Sequence, residues 1–332
     1  MNIFQTKYKY PSIKTIGIGL TNRCNLNCEH CYSRKMAGRT FTLDDVRKVL
    51  TVFPKLESVN FGTGESIFNN QFEEIVDLFH SKKIKMAITS NGLSINKMKE
   101  DTLSKFEDID ISIDFPKADL HDKWRGREGL FADATKAIKR CKKFKINVSI
   151  VAVLMANNFD YFPGFKKLLD KYDVNLRINL YKPVNKDQFT PSYSQFWTTI
   201  KAISENFEIV SCSEPILSLV WNEMSNGSKC GNSLRIHSDG EVLACVYVKN
   251  NDNYKKFNHD KKILPSFCEG CIVSKKCMGG CYGRRLIENR KSLPDSFCPF
   301  FYGKEKPSIH FKKYKQAKDL IHSSYLCTII LR

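Results

Sequence analysis

No stretch of this chain is both long and apolar enough to cross a bilayer. The most apolar runs, Ile146–Ala156 and Ile216–Trp221, fall far short of the roughly 20 residues a helical span needs. Met1–Tyr10 lacks the apolar centre of a secretory signal, so export is not expected and a cytoplasmic setting is. Low-complexity linkers and short-period repeats are absent too, which argues against solenoids and tethered arrays. Acid is in short supply: 35 Asp+Glu face 53 Lys+Arg, a formal net charge of +18. Such a balance favours acidic partners, although the lysines are spread along the whole chain and much of the excess reads as solvated helix surface. The densest basic runs, Lys136–Lys145, Lys249–Lys262 and Lys304–Lys318, are not interleaved with aromatics as a single-strand platform would be. Nucleic acid is therefore not the expected partner.

What the chain has in abundance is cysteine, and ten of the 13 fall in two spaced groups. The first is Cys24-x3-Cys28-x2-Cys31. The second comprises Cys230, Cys245, Cys268-x2-Cys271, Cys277, Cys281 and Cys298. In a reducing compartment, thiols at these spacings bind metal rather than pair as disulfides. Soft thiolates suit iron–sulfur clusters or zinc. Zinc is the plainer reading of the second group, since Cys268, Cys271, Cys277 and Cys281 could close one tetrahedral site. That would leave Cys230, Cys245 and Cys298 unused. Cys141, Cys212 and Cys327 stand apart and read as small buried hydrophobes.

From residue 14 to about 206, short β-branched runs alternate with longer amphipathic stretches. Strands are expected at Lys14–Leu20, Leu56–Phe61, Lys85–Thr89, Ile109–Asp114, Ile146–Leu154 and Val174–Leu180. Helices are expected at Thr42–Phe53, Asn69–Ser81, Ser94–Phe106, Gly129–Phe144, Phe159–Tyr172 and Pro191–Asn206. Thr42 reads as an N-cap before Asp44 and Asp45, and Pro191 as a first helical residue. Six strand–helix units imply a parallel sheet with right-handed crossovers. The expected fold is α/β: a partial (β/α)6 barrel over residues 1–210, a small cysteine-rich domain over 211–303, and a helical tail over 304–332. In barrels of this kind the site lies at the C-terminal ends of the strands. Cys24, the Gly62-Thr63-Gly64-Glu65 turn and the Ser90-Asn91-Gly92 turn all fall there. Ser238-Asp239-Gly240 reads as a hairpin turn bringing Cys230 and Cys245 together.

The Cys24–Cys31 motif resembles the signature of radical S-adenosylmethionine (radical SAM) enzymes. The seven downstream cysteines resemble a SPASM domain, the auxiliary-cluster module carried by many of them, and the resemblance spans residues 13–303. It implies a [4Fe-4S] cluster on Cys24, Cys28 and Cys31, whose fourth iron is chelated by SAM, and two auxiliary [4Fe-4S] clusters. Cys230, Cys245 and Cys281 would serve one auxiliary cluster; Cys268, Cys271, Cys277 and Cys298 would serve the other. The first is one ligand short, so either Cys212 completes it or it stays open to substrate or solvent.

The resemblance also implies SAM contacts from Gly64, Glu65, Ser90, Asn91, Ser112, Asp114 and Arg125, with Glu65 accepting from the SAM amino group and Arg125 meeting its carboxylate. His30 and Tyr32 would shield the cluster. Thr63 and Ser66 depart from the usual Gly-Gly-Glu-Pro turn, and Phe115 replaces a glycine usual after the aspartate. The implied activity is modification of a ribosomally made peptide or protein by crosslinking, epimerisation or oxidation. It would use an electron donor such as flavodoxin or ferredoxin, and an acidic leader would suit the net charge. With only about thirteen residues before the first strand, no N-terminal recognition domain is expected. Oxidation or decarboxylation of a small molecule such as a tetrapyrrole or cofactor precursor is the alternative, and a non-catalytic iron–sulfur protein that binds nucleic acid is a third. Sulfatase maturation fits less well, because Val246 follows Cys245 where an aspartate is expected.

Overall fold

The computed structural model describes residues 2–33, 39–183, 187–221, 233–247, 264–315, 320–321 and 328–332. Its first strand, β1 (Thr15–Ile18), leads to helix α1 (Leu43–Val52). Thr42 caps that helix: its hydroxyl accepts from the Asp45 N–H at 3.2 Å, and Asp45 accepts in return from the Thr42 N–H at 2.8 Å. Val46, Val49 and Val52 form the buried stripe. The alternation continues through β2 (Ser58–Phe61), α2 (Phe72–Ser81) and β3 (Lys85–Ser90). Two short helices follow, α3 (Leu93–Lys97) and α4 (Glu100–Leu103), where one helix over 94–106 was expected. Next come β4 (Asp108–Ser112), α5 (Ala118–Arg125), α6 (Leu130–Lys143), β5 (Asn147–Leu154), α7 (Phe165–Tyr172), β6 (Asn175–Leu180) and α8 (Tyr193–Asn206). Pro191 does not open α8. Ser192 is its N-cap in a second capping box with Gln195, because a hydroxyl there satisfies an orphan N–H that proline cannot.

β1 to β6 pair in sequence and in parallel. One face of this sheet packs on helices: Phe61 meets Phe72 and Phe79 of α2, with ring centroids 6.1 and 5.7 Å apart. The other face mixes polar and aliphatic side chains and turns into the barrel, where Asp110, Ser112, Val151, Val153 and Asn179 border a cavity. Strand alternation separates the two faces.

The rest of the chain does not form a separate sheet. β7 (Glu208–Cys212) is followed by β8 (Leu234–Ile236) and β9 (Val242–Leu243), and β8 pairs in parallel with β1. β8 and β9 are antiparallel around Gly240, whose φ of 85° suits the expected Asp-Gly hairpin turn. Helices α9 (Ser274–Cys277), which ends on Cys277, and α10 (Tyr282–Ile287), whose N-cap is Cys281, lie among the later cysteines. The expected helical tail gives strands instead among its described residues: β10 (Lys312–Lys313), which pairs with β7, and β11 (Thr328–Leu331). β11 inserts antiparallel between β6 and β7 with all four residues buried. An apolar run covered on both sides shows no alternation, so its sequence does not distinguish strand from helix. The order in the sheet is β10-β7-β11-β6-β5-β4-β3-β2-β1-β8-β9. No described helix is long and apolar enough to cross a membrane.

Three buried contacts hold the cysteine-rich region on the barrel. Phe297 stacks on Phe196 at 4.2 Å, and its carbonyl accepts from Trp197 Nε1 at 3.0 Å. Arg284 bonds both Asp295 (Nη2 to Oδ2, 2.6 Å) and Glu214 (Nη2 to Oε1, 2.8 Å), all three residues being nearly inaccessible.

Candidate active site and cysteine clusters

Cys24, Cys28 and Cys31 lie on the loop after β1, at the C-terminal edge of the sheet, and border a cavity of about 470 Å3. That volume is within the common range of small-molecule sites, about 300–1,000 Å3. The three thiols lie near enough to influence one another. Burial, then the Glu65, Cys28 and Cys31 charges, push Cys24 up to about 11 against the pull of the Leu26 N–H. Cys28 is also raised by burial, while the nearby Arg125 guanidinium draws it down. Leu26 N–H and Asn91 Nδ2 donate to Cys24 Sγ at 3.4 and 3.7 Å, and Cys31 Sγ lies 3.2 Å from Ser33 Oγ. Three soft donors beside a cavity, with N–H groups already aimed at sulfur, are a donor set that fits an iron–sulfur cluster open toward a bound molecule.

The turns after β2 and β3 meet over Glu65. Gly64 sits at φ 55°, and a Cβ there would approach the Arg23 carbonyl oxygen to 2.5 Å, so only glycine fits. Glu65 is 2% exposed and accepts from the Asn91 N–H (2.5 Å), Ser90 Oγ (2.8 Å), Ser94 N–H (3.1 Å) and Ser94 Oγ (2.5 Å). Burial raises its carboxyl pKa, and these four bonds oppose the rise. Beyond the acceptor expected for a ligand's ammonium, the carboxylate staples the two turns together. Ser90 is spent on that staple. The Asn91 side chain instead reaches Cys24 and, at 2.9 Å, Asn25 Oδ1.

Across the cavity, Arg125 of α5 grips Asp114 just beyond β4, Nε and Nη2 lying 2.9 and 2.7 Å from Oδ2. Arg125 still borders the cavity, but one edge of its fork is committed. Burial alone would raise Asp114; Arg125, together with smaller contributions from His30, His121 and the Val153 N–H, outweighs that and holds it at about 2. His121 Nδ1 accepts from the Asp114 N–H at 3.2 Å. His30 stacks on Trp124 at 5.3 Å, its Nε2 3.5 Å from Asp114 Oδ2. Burial and Arg125 lower both histidines to about 4 despite Asp114, so they are neutral at pH 7. Tyr32, the other expected shield, meets Tyr247 at 5.7 Å.

Sequence reasoning missed Asp110, Asn179, Tyr181 and Tyr247, all of which border the cavity. Asp110 was within reach, since it shares a strand face with Ser112. Tyr247, two residues past Cys245, was not.

The remaining cysteines fall into groups. Burial pushes Cys268 up to about 11 and Cys277 up to about 12; repulsion from Cys298 adds to both, with Cys271 acting on Cys268 and Cys268 on Cys277. Cys245, raised by burial first, feels Cys281 next. The Cys281 N–H is pinned to Asp295 Oδ2 at 2.8 Å. Cys230 lies outside the described residues. Cys212 is in β7 opposite Ile329, its thiol 3.9 Å from the Glu214 carbonyl, and burial pushes it up to about 12. Cys141, on α6, is buried in the apolar core. No disulfide joins the described cysteines, and no three described His, Cys, Asp or Glu side chains converge on a single ion position.

Comparison with known proteins agrees with this geometry. Residues 18–169 match the model of the Radical SAM superfamily. The antilisterial bacteriocin subtilosin biosynthesis protein AlbA of Bacillus subtilis is 24% identical over 309 residues, 82% of this chain and 67% of that protein. Among solved structures, SuiB of Streptococcus suis bound to precursor peptide SuiA superposes with a TM-score of 0.64 at 16% identity, covering 86% of this chain and 76% of SuiB. Native anSMEcpe with bound AdoMet superposes with a TM-score of 0.66 at 17% identity, covering 87% of this chain and 94% of anSMEcpe. With the partial barrel and the cysteine loop in place, these matches identify residues 18–169 as a radical SAM domain.

Proposed function

We propose that this chain reductively cleaves S-adenosylmethionine and uses the resulting radical to modify residues of a ribosomally synthesised peptide or protein. The observation that carries the reading is the cysteine trio opening onto the 470 Å3 cavity, opposite Arg125 and beside Glu65. In this reading Cys24, Cys28 and Cys31 hold a [4Fe-4S] cluster, and Gly64, Glu65, Ser90, Asn91, Ser112, Asp114 and Arg125 shape the SAM site. When bound, the cluster supplies one electron to SAM, giving methionine and a 5′-deoxyadenosyl radical.

The protein's own part is placement and exclusion. Glu65 locks the two turns that face the cysteine loop, and the Asp114–Arg125 pair fixes a cationic edge for a carboxylate. His30 and Trp124, stacked and neutral, wall the site off from water.

Cys245 and Cys281, with Cys230, would hold one auxiliary [4Fe-4S] cluster; Cys268, Cys271, Cys277 and Cys298 would hold a second. Both would carry away electrons released in a net oxidation. The buried setting of Cys212 in β7 suits a core thiol better than a fourth ligand. A peptide substrate draws support from AlbA, a bacteriocin biosynthesis protein, and from the precursor peptide bound to SuiB. The +18 charge favours an acidic leader, and a flavodoxin or ferredoxin would deliver the electron. The test is anaerobic reconstitution with iron and sulfide, then mass spectrometry of candidate precursor peptides encoded beside this gene. A peptide mass change accompanied by 5′-deoxyadenosine supports the reading. Nucleoside release with every peptide unchanged removes the peptide assignment.

A further inference from the structure

The deep end of the cavity carries polar groups that the SAM site does not use. On β4 the inward face steps down the barrel from Ser112 to Asp110, which is 3% exposed and borders the cavity. Arg177 of β6 lies beneath, its Nε 3.0 Å from Asp110 Oδ1. Its N–H bonds run elsewhere: Nε to Ser149 Oγ (3.3 Å), Nη2 to Asp108 Oδ2 (2.6 Å) and Nη1 to the Ile321 carbonyl (3.0 Å). Asp110 Oδ1 therefore accepts no well-formed hydrogen bond. Asn179 Oδ1, on a residue 8% exposed that borders the same cavity, also has none.

The charges do not balance either. Two buried carboxylates, Asp108 and Asp110, face one guanidinium, so the cluster is negative when both are ionised. Burial pushes Asp110 up to about 7, with Arg177 opposing and Asp108 adding to the rise. Val151 and Val153 of β5 stand on the same inner face and also border the cavity. A buried carboxylate whose Oδ1 meets only an ion-paired guanidinium, and an amide oxygen without a hydrogen bond, beside aliphatic side chains that line the same cavity, match a cation carried on a methylene stem.

We propose that Asp110 and Asn179 form a specificity subsite for a lysine-type ammonium on the peptide substrate. The proposal rests on the radical SAM reading above and deepens it. The surface excess of base attracts the acidic part of a partner, whereas the barrel interior selects one basic side chain.

The test uses reconstituted, unreduced holoenzyme saturated with SAM, so that no turnover occurs. Two synthetic tripeptides serve as probes, N-acetyl-Gly-Lys-Gly-amide and its norleucine counterpart, with affinities read by titration calorimetry. The lysine peptide should bind about tenfold tighter or more, the scale of a charged hydrogen bond in a buried site. Asp110→Asn should bring the two affinities within about twofold, and the milder Asn179→Ala should lower the preference about threefold. Equal affinities in the wild type, failure of the lysine peptide to bind, or an unchanged preference in Asp110→Asn would each overturn the proposal. So would a loss of SAM affinity in either variant, which would assign these groups to the cofactor. If the wild type fails to bind SAM at all, it is the function itself that falls.

Discussion

Replacing Asp114 by Asn removes the anion that Arg125 grips inside the barrel. Asp114 is inaccessible, and the Arg125 side chain is only 10% exposed, so the substitution leaves a buried guanidinium facing an amide. Two routes give the size of the loss. The Asp114 pKa falls from 3.8 to about 2, and at 1.36 kcal/mol per unit that is about 2.5 kcal/mol. Removing one partner of a buried pair costs about 3–5 kcal/mol. A deficit of about 3 kcal/mol at pH 7 satisfies both. The sign follows from the depressed folded-state value: the stabilisation is complete above pH 3.8 and is lost as pH falls toward 2. Urea unfolding of wild type and Asp114→Asn, followed by circular dichroism at several pH values, gives the difference, from which cluster loss common to both cancels. Adding Arg125→Leu to Asp114→Asn should recover part of the deficit, because no charge is then stranded. A deficit under about 1 kcal/mol at pH 7, or one that stays constant from pH 5 to 2.5, would refute this reasoning.

Gly64→Ala should cost about 2–3 kcal/mol in unfolding and abolish SAM binding, because its Cβ meets the Arg23 carbonyl at a positive φ; an unchanged melting temperature and SAM affinity would contradict it. Arg284→Met strands Glu214 and Asp295 in the interior and should cost about 3–5 kcal/mol, with proteolytic cleavage appearing first in the cysteine-rich region; a loss under about 1 kcal/mol would count against that contact as the anchor. The folded-state pKa of His121 is lowered to about 4 from 6.5, so the native state resists its protonation. The wild type should therefore lose about 3 kcal/mol more than His121→Gln between pH 6.5 and 4, measured by urea unfolding; parallel curves would exclude that role.

The barrel was legible because its strands are short β-branched runs separated by stretches of helical period. All six fell within two residues of their observed bounds. The tail was not legible: Thr328–Leu331 is buried on every side and carries no alternation. The cysteine loop could be read from spacing alone. The division of the later cysteines into two sets came from the resemblance, not from spacing; among the described ones, Cys298 and Cys268, Cys271 and Cys277 lie near enough to influence one another, and Cys281 acts on Cys245. Glu65 was read as a ligand-facing acceptor. Its bonds to Ser90, Asn91 and Ser94 depend on two turns 25–29 residues apart in sequence meeting in space. Arg125 likewise carries a basic side chain suited to a ligand, and its grip on Asp114 depends on α5 folding back against the end of β4. Asp110 escaped notice because one acid in a β-branched strand resembles a tolerated polar residue until register sets it against Arg177.

The account stands on the trio at the cavity mouth, and 5′-deoxyadenosine is its direct reporter. Reconstituted enzyme, given SAM and a strong one-electron reductant without oxygen, should release the nucleoside. The Cys24→Ala, Cys28→Ala, Cys31→Ala triple variant should release none while keeping the iron bound by its other cysteines. Nucleoside formation by the triple variant, or a wild type that takes up zinc and no iron, would contradict the central claim.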